Sequence, residues 1–380
     1  MNQYNIITPV NSLQPVYPSG NIPVIRIDNI FQEAQLKIEI IRKDLQEVVI
    51  HEKYMPQQGN FILVAIRDLV HRFLQNDITG FQQGEDFGYQ QPTASATIKI
   101  YRKTDTEWLP ETPQQEYFLV KQFLSVKGET AEELFLNAES FFNFTWLTTQ
   151  PQTRAATENE PIFLSAFIQQ NAVLKAKAQH PSTSDVETLQ TITGNEYSMF
   201  NFNITWQQLM DAFSLNEQNK PIHFELFIEH QNNQVTHPIR ISLNQYPHPY
   251  MSLFAFENAL GGIESIMLYG HEKKTSLNTF LRSVVYNNVE QYETIPLILT
   301  NKKISGVQGH DHKLWIADFF DATNRYINIK NQWIPIFIDT YEMQQSQSDT
   351  DEYEFTFGLR KQSAGKTPQR QLYMDYIVPE

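Results

Sequence analysis

The sequence predicts a mostly β fold: tandem β-sandwich-like domains with short helices, followed by a β-rich C-terminal domain. Three observations lead there. Stretches that alternate apolar and polar residues recur along the chain, and helical stretches are few and only two or three turns long. Hydrophobic residues at 41% and aromatics at 13% give the 380 residues enough apolar mass for true cores. At about 150 residues per domain, that length divides into two or three.

Residues 1–20, with Pro9, Pro15 and Pro18, read as an extended arm that gains order only against a neighbour. A first sandwich-like domain is expected over 21–115. Asn21 to Ile30 supplies a strand, and Leu36-Lys37-Ile38-Glu39-Ile40 alternates cleanly, so Leu36, Ile38 and Ile40 share a face. Ile66, Leu69, Val70, Phe73 and Leu74 follow the helical template, and Ala96 to Tyr101 returns to alternation. The prolines of Leu109-Pro110-Glu111-Thr112-Pro113 end the block.

A bridging segment is expected over 116–149, with a short helix at Glu129 to Leu136. The polar stretch Thr148 to Pro161 opens a second sandwich-like domain at 150–246. In it Trp206, Leu209, Met210 and Phe213 form one helical stripe with Thr205 as N-cap, and Ile222 to Ile228 alternates. Tyr246-Pro247-His248-Pro249-Tyr250 is the sharpest hinge, since each proline also restricts the residue before it. A third, β-rich domain over 250–380 carries a helix at Ser276 to Val285 and a strand at Tyr353 to Leu359.

A weak internal repeat runs through the first two blocks. Asn60-Phe61 leads into a helix, a loop and the strand Ala96 to Tyr101; Asn201-Phe202 leads into a helix, a loop and the strand Ile222 to Ile228. Duplication explains this, and so does the commonness of strand–helix–strand arrangements.

Composition excludes several classes of function. The balance 29 − 43 = −14 argues against a nucleic-acid partner, which needs clustered Lys and Arg. Without cysteine there is no disulfide, thiolate nucleophile or Cys-ligated metal. Met1 to Asn5 has no basic region before an apolar run, so a Sec signal is not expected, and no apolar run suggests a membrane span.

Each chemical candidate has a plainer reading. His310 and His312 in Gly309-His310-Asp311-His312 would share a face on a strand and could ligate zinc, with Asp318 and Asp321 the nearest acids. No HExxH pattern is present, and Gly306 and Gly309 favour a solvated turn. Ser348 to Glu354 is acid-rich but lacks the glycine of a calcium loop, so it reads as an exposed hairpin loop. Asn258-Ala259-Leu260-Gly261-Gly262 lacks phosphate-loop spacing, and its glycines supply positive φ in a turn between strands. No G-x-S-x-G elbow occurs, and paired carboxylates for glycoside hydrolysis cannot be picked from scattered acids. Phe141, Phe142, Phe144, Trp146, Phe355 and Phe357 sit at strand positions where core packing is the default. The expectation is therefore no enzyme, no catalytic residue and no cofactor.

The third block resembles a known group. Tyr250 to Gly262, containing Phe256-Glu257-Asn258-Ala259-Leu260-Gly261, resembles the "FENAFG" segment of uncharacterised proteins encoded among tail genes of Bacteroidetes phages and prophages. Leu314-Trp315-Ile316-Ala317-Asp318 and Trp333 to Asp339 look like that group's "W-x-P-V" strand. Asp351 to Leu359 resembles its "D-x-L-x-x-F-x-F-E-x-R-L" ending, with Thr356 and Gly358 departing from it. The similarity spans about 130 residues, all in the third block. It implies a virion structural protein of the tail tip or baseplate, or of a related injection apparatus. Such a protein assembles in the host bacterial cytoplasm with copies of itself and other tail or baseplate proteins. The resemblance carries no catalytic residues. Abundant Asn and Gln side chains suit broad polar contacts between proteins. The alternative is a non-enzymatic surface or carbohydrate-binding sandwich protein, with Trp108 or Trp333 as stacking platforms.

Overall fold

Alternation builds sheet here, and the computed structural model of the chain is mostly β. It describes residues 5–8, 16–22, 24–28, 34–42, 47–54, 61–67, 70, 74, 78, 88–90, 94–103, 108–109, 122–126, 145–168, 171–193, 198–245, 251–269, 272–273, 277–286, 289–297, 299–307, 310–345 and 352–361. The helix expected at Glu129 to Leu136, the residues Phe141, Phe142 and Phe144, and the acidic loop before Glu352 lie outside them.

The first strands are β1 (Asn5–Thr8), β2 (Val16–Pro18), β3 (Ile25–Asp28), β4 (Ala34–Arg42), β5 (Glu47–Tyr54), β6 (Phe61–Val64), β7 (Gly88–Gln90), β8 (Ala94–Lys103), β9 (Trp108–Leu109) and β10 (Gln122–Val126). They form one sheet in the order β1-β3-β6 and another in the order β2-β10-β8-β4-β5, with β9 on β8. Strand β2 joins β10 in parallel, and the other pairings in these two sheets are antiparallel.

The same plan returns in β11 (Thr145–Trp146), β12 (Thr153–Ala156), β13 (Ile162–Ile168), β14 (Ala172–Gln179), β15 (Ser184–Ile192), β16 (Ser198–Ile204), β17 (His223–His230), β18 (Asn233–Gln234) and β19 (Ile239–Leu243). One sheet runs β11-β13-β16 and the other β12-β19-β17-β14-β15, with β18 on β17 and β12 parallel to β19. Every element of the second unit has its counterpart in the first, including the parallel pair and the short side strand. Between β6 and β8 the main chain turns helically, Val70 N donating to Ile66 O (3.0 Å) and Leu74 N to Val70 O (3.1 Å). Between β16 and β17 lies α1 (Trp206–Ala212). Register agrees as well: Ile25 faces Val64 as Ile162 faces Ile204. The faint repeat of the sequence, offset 202 − 61 = 141 at its Asn-Phe pair, is therefore a repeated plan of two sheets.

Strand β7 is the exception that ties the units together. It comes from the first unit but extends the second unit's sheet, pairing antiparallel with β16 at Phe200 to Phe202. Gly88 makes this approach possible: a Cβ there would lie 2.3 Å from Asn201 O.

Helix α1 forms because Thr205 and Gln208 cap each other. Gln208 N donates to Thr205 Oγ1 (3.1 Å) and Thr205 N to Gln208 Oε1 (2.8 Å). Its stripe of Trp206, Leu209 and Met210 is buried in the second sandwich, where Trp206 meets Phe224 edge-on with ring centroids 4.8 Å apart. Alternation puts Leu174, Ala176 and Ala178 into that core and leaves Lys175 and Lys177 outside. Strand β13 is instead buried throughout. Ile162, Leu164, Ala166 and Ile168 fill the sandwich, while Phe163 packs with Ile78, Ala255 and Ile263 on the opposite face.

The third unit contains β20 (Met251–Glu257), β21 (Ile263–Tyr269), β22 (Glu272–Lys273), β23 (Leu277–Tyr286), β24 (Val289–Leu297), β25 (Leu299–Val307), α2 (His310–Asp321), β26 (Arg325–Ile329), β27 (Gln332–Gln345) and β28 (Glu352–Lys361). The sheet order β21-β20-β26-β27-β28-β25 returns on itself, because β25 also pairs with β21 at Ile304 and Tyr269. Six strands thus close into a barrel, with β22 attached to β25. Trp315, Ile316, Phe319 and Phe320 of α2 pack against Phe254, Phe256, Ile266, Leu268, Ile327 and Ile336.

Three expectations fail in this unit. Ser276 to Val285 is not a helix: Leu277–Tyr286 is a strand paired with β24. The apolar spacing fits either form. Val284, Val285 and Tyr286 favour a strand, and Asn287-Asn288 suits a tight hairpin. Conversely, Leu314 to Asp318 is not a strand and His310 to His312 is not a turn; both lie on α2. The pairs Trp315–Phe319 and Ile316–Phe320, each four apart, carry the helical stripe.

Candidate functional site

The densest buried polar cluster among the described residues lies where the second sandwich meets the barrel. Its sandwich side is the stretch 147–160, and its barrel side is the β20–β21 turn, the start of β21 and α2.

Asn258 organises the turn. Its Nδ2 donates to Leu147 O (2.9 Å) and to Glu264 Oε1 (2.5 Å), while its Oδ1 accepts from Gly262 N (2.8 Å). Gly261 takes φ 85°, as the sequence suggested for this turn. Gly262 serves differently: a Cβ on it would lie 2.2 Å from Leu147 O, so only glycine lets the sandwich backbone come this close.

Strand β21 is gripped from both faces. Residues 264 and 265 point to opposite sides of the strand, yet both bond the sandwich. Thr149 N donates to Glu264 Oε1 (2.6 Å), and Thr149 Oγ1 donates to Asp318 Oδ2 on α2 (2.7 Å). Asp318 Oδ1 also accepts from Ala259 N (3.1 Å). On the other face Phe163 N donates to Ser265 Oγ (3.0 Å), which donates to Pro161 O (2.6 Å). Ile263 N donates to Ser165 Oγ (2.8 Å), which donates to Asn201 Oδ1 (2.5 Å).

Arg154, on β12, is the cationic centre. One Nη2 hydrogen bond with an ion pair joins it to Glu160; Nη1 donates to Gln150 Oε1 (3.1 Å) and to Ser265 O (3.1 Å). Its guanidinium carbon sits 5.1 Å from the centre of the Trp315 ring. Arg154 and Glu160 expose only 3% and 2% of their surface, so neither charge is repaid by water.

The acids are perturbed accordingly. Complete burial pushes the Glu264 carboxyl up from 4.5 to about 7; hydrogen bonds from Asn258 and the Thr148–Thr149 stretch oppose this, and the Asp318 charge adds to it. Burial likewise raises Asp318, against the hydrogen bonds from Thr149 and Ala259. Glu264 Oε2, Arg154 Nε and Trp315 Nε1 are buried with no hydrogen-bond partner. Beside the joint runs an open groove of ≈ 710 Å³ lined by Thr149, Gln150, Gln152, Thr153, His237, His312 and Leu314.

His310 and His312 do not form a ligand pair: residues two apart on a helix do not share a face. His312 instead stands edge-on to Trp315, with centroids 6.1 Å apart. Asp318 is taken up by Thr149 and Ala259, and no group of three or more His, Asp or Glu able to hold a metal occurs among the described residues. Trp333 packs on Phe163 at 5.3 Å within the interface. Arranged this way, the cluster fastens two modules.

Sequence reasoning read Thr148 to Pro161 as a polar boundary and so missed Gln150, Arg154 and Glu160. Glu264 left a signal: it stands in phase with Ile266 and Leu268, a charged residue on an apolar face. No known protein family matches the chain, and no curated protein matches its sequence.

Proposed function

We propose that the chain is a virion structural protein of a phage tail tip or baseplate, or of a related injection apparatus. It acts by shape, assembling in the host bacterial cytoplasm with copies of itself and other tail proteins, and it catalyses nothing. The observation that carries this reading is the joint. Its buried polar groups are spent on holding the second sandwich to the barrel at a fixed angle, which is what a subunit working by geometry requires. The resemblance of the third unit to tail-associated proteins supports the same conclusion.

The contact surfaces are faces more than edges. Strand β15 is outermost in its sheet, and Glu187 lies opposite the buried Ala176, on the core side of the strand. Inward charges on outermost strands discourage strand addition. The outer face of the second sandwich is instead a charged ladder: Lys175 pairs with Glu229 (2.6 Å), and Glu225 with Arg240 (2.9 Å) and Lys177 (3.4 Å).

Electron microscopy of particles from a host carrying the gene, with the chain labelled, tests the reading. Label at the tail tip supports it, and label confined to the cell surface or to unassembled protein overturns it. Residues 5–8 and 16–18 are strands of the first unit's own sheets and not a free arm, so the test falls on association: purified alone, the chain should form oligomers, and a strict monomer counts against the proposal.

A further inference from the structure

Glu264 sits at the joint without a compensating cation. Arg154 is held by Glu160, and no basic side chain among the described residues pairs with Glu264. Its Oε1 accepts from Thr149 N of the sandwich and from Asn258 Nδ2, and Asn258 in turn holds Leu147 O. Its Oε2 faces no partner. One carboxyl group thus stitches the stretch 147–150 to the 258–262 turn, at zero exposure.

We infer that Glu264 is a proton-operated latch: protonated, it lets the second sandwich and the barrel lock together, and ionised, it loosens the contact between 147–150 and the β20–β21 turn. A neutral carboxyl keeps both hydrogen bonds to Oε1, and its hydroxyl costs far less to bury than a charge does. The ionised form adds a negative charge beside Asp318, which shares the Thr149 hydroxyl with the latch.

The other charged or titrating groups around it are few. From α2 come Asp318 and, further on, Asp321, whose charge bears on Asp318. From the sandwich come Arg154 with Glu160, from β20 comes Glu257, held by Asn324 (2.8 Å), and His237 and His312 line the adjacent groove. With the locked-state value raised from 4.5 to about 7, the lock holds its proton more tightly than the open form, where the carboxyl meets water. The contribution to locking is therefore full below about 4.5 and is lost as pH rises through about 7.

Hydrogen exchange on the intact chain between about pH 5.5 and about pH 8.5, corrected for intrinsic rates, reads the latch directly. In the wild type, amides of 147–150 and 258–264 should lose protection about tenfold or more across that range. Glu264→Gln should keep them protected throughout, because its carbonyl can still accept from Thr149 and Asn258. Asp318→Asn, which removes the neighbouring charge, should move the midpoint to lower pH and keeps the idea testable should Glu264→Gln not fold. Unchanged wild-type protection, an equal loss in Glu264→Gln, or an unmoved midpoint in Asp318→Asn would each overturn the inference. Failure of the latch leaves the tail-protein reading standing, since a joint locked at every pH still fixes the angle; that reading is tested by the labelled particles.

Discussion

Replacing Arg154 by leucine should destabilise the protein by about 3–5 kcal/mol, the usual cost of breaking a buried ion pair from one side. The substitution strands Glu160 at 2% exposure, removes the donors to Gln150 Oε1 and Ser265 O, and lifts the guanidinium from Trp315. Glu160→Ile should cost about as much, because Arg154 is left charged and Thr157 N (3.0 Å from Glu160) loses its acceptor. The double variant should return to within about 2 kcal/mol of the wild type, since apolar replacement of a buried pair is often neutral and only neutral polar groups remain unpaired. Denaturant unfolding of the four proteins at one pH, followed by tryptophan fluorescence and circular dichroism, gives the cycle. Additive losses in the double variant, or a loss of less than about 1 kcal/mol for Arg154→Leu, would refute the claim that the pair is buried and coupled.

Other predictions follow from close approach, capping and edge protection. Gly262→Ala should cost about 1–3 kcal/mol, because its Cβ meets the backbone at Leu147 O; thermal unfolding measures it. Gly88→Ala should detach β7, raising exchange at the Asn201 amide while leaving α1 protected. Thr205→Ala should cost about 1 kcal/mol through loss of the capping box, also read from the melt. Asp185→Val with Glu187→Val should strip the guard from β15 and increase self-association in sedimentation, which the wild-type edge resists.

Much of the strand content was legible because alternation is local. Leu36 to Ile40, Ile222 to Ile228 and Tyr353 to Leu359 each announce a strand, and each lies in one except Ile222, which stands just before β17 and is exposed. The Thr205 cap was legible for the same reason, being complete within four residues. The Ser276 to Val285 error shows the limit: an apolar spacing compatible with two forms is decided by whether a partner strand lies alongside. Strand β13 shows another limit, since its burial on both faces is explained only by the barrel on its far side.

The order of residues alone determined that this is a β protein with short capped helices and a repeated Asn-Phe–helix–strand theme, because hydrophobic period and caps act over a few residues. Tertiary structure decided the rest. It revealed that the repeat is a full plan of two sheets, that the last sheet closes into a barrel, and that Arg154, Glu160, Asn258 and Glu264, spread over more than a hundred residues, meet in one joint. Such meetings depend on the burial of distant segments against each other, and no local pattern records which buried charge will find which partner.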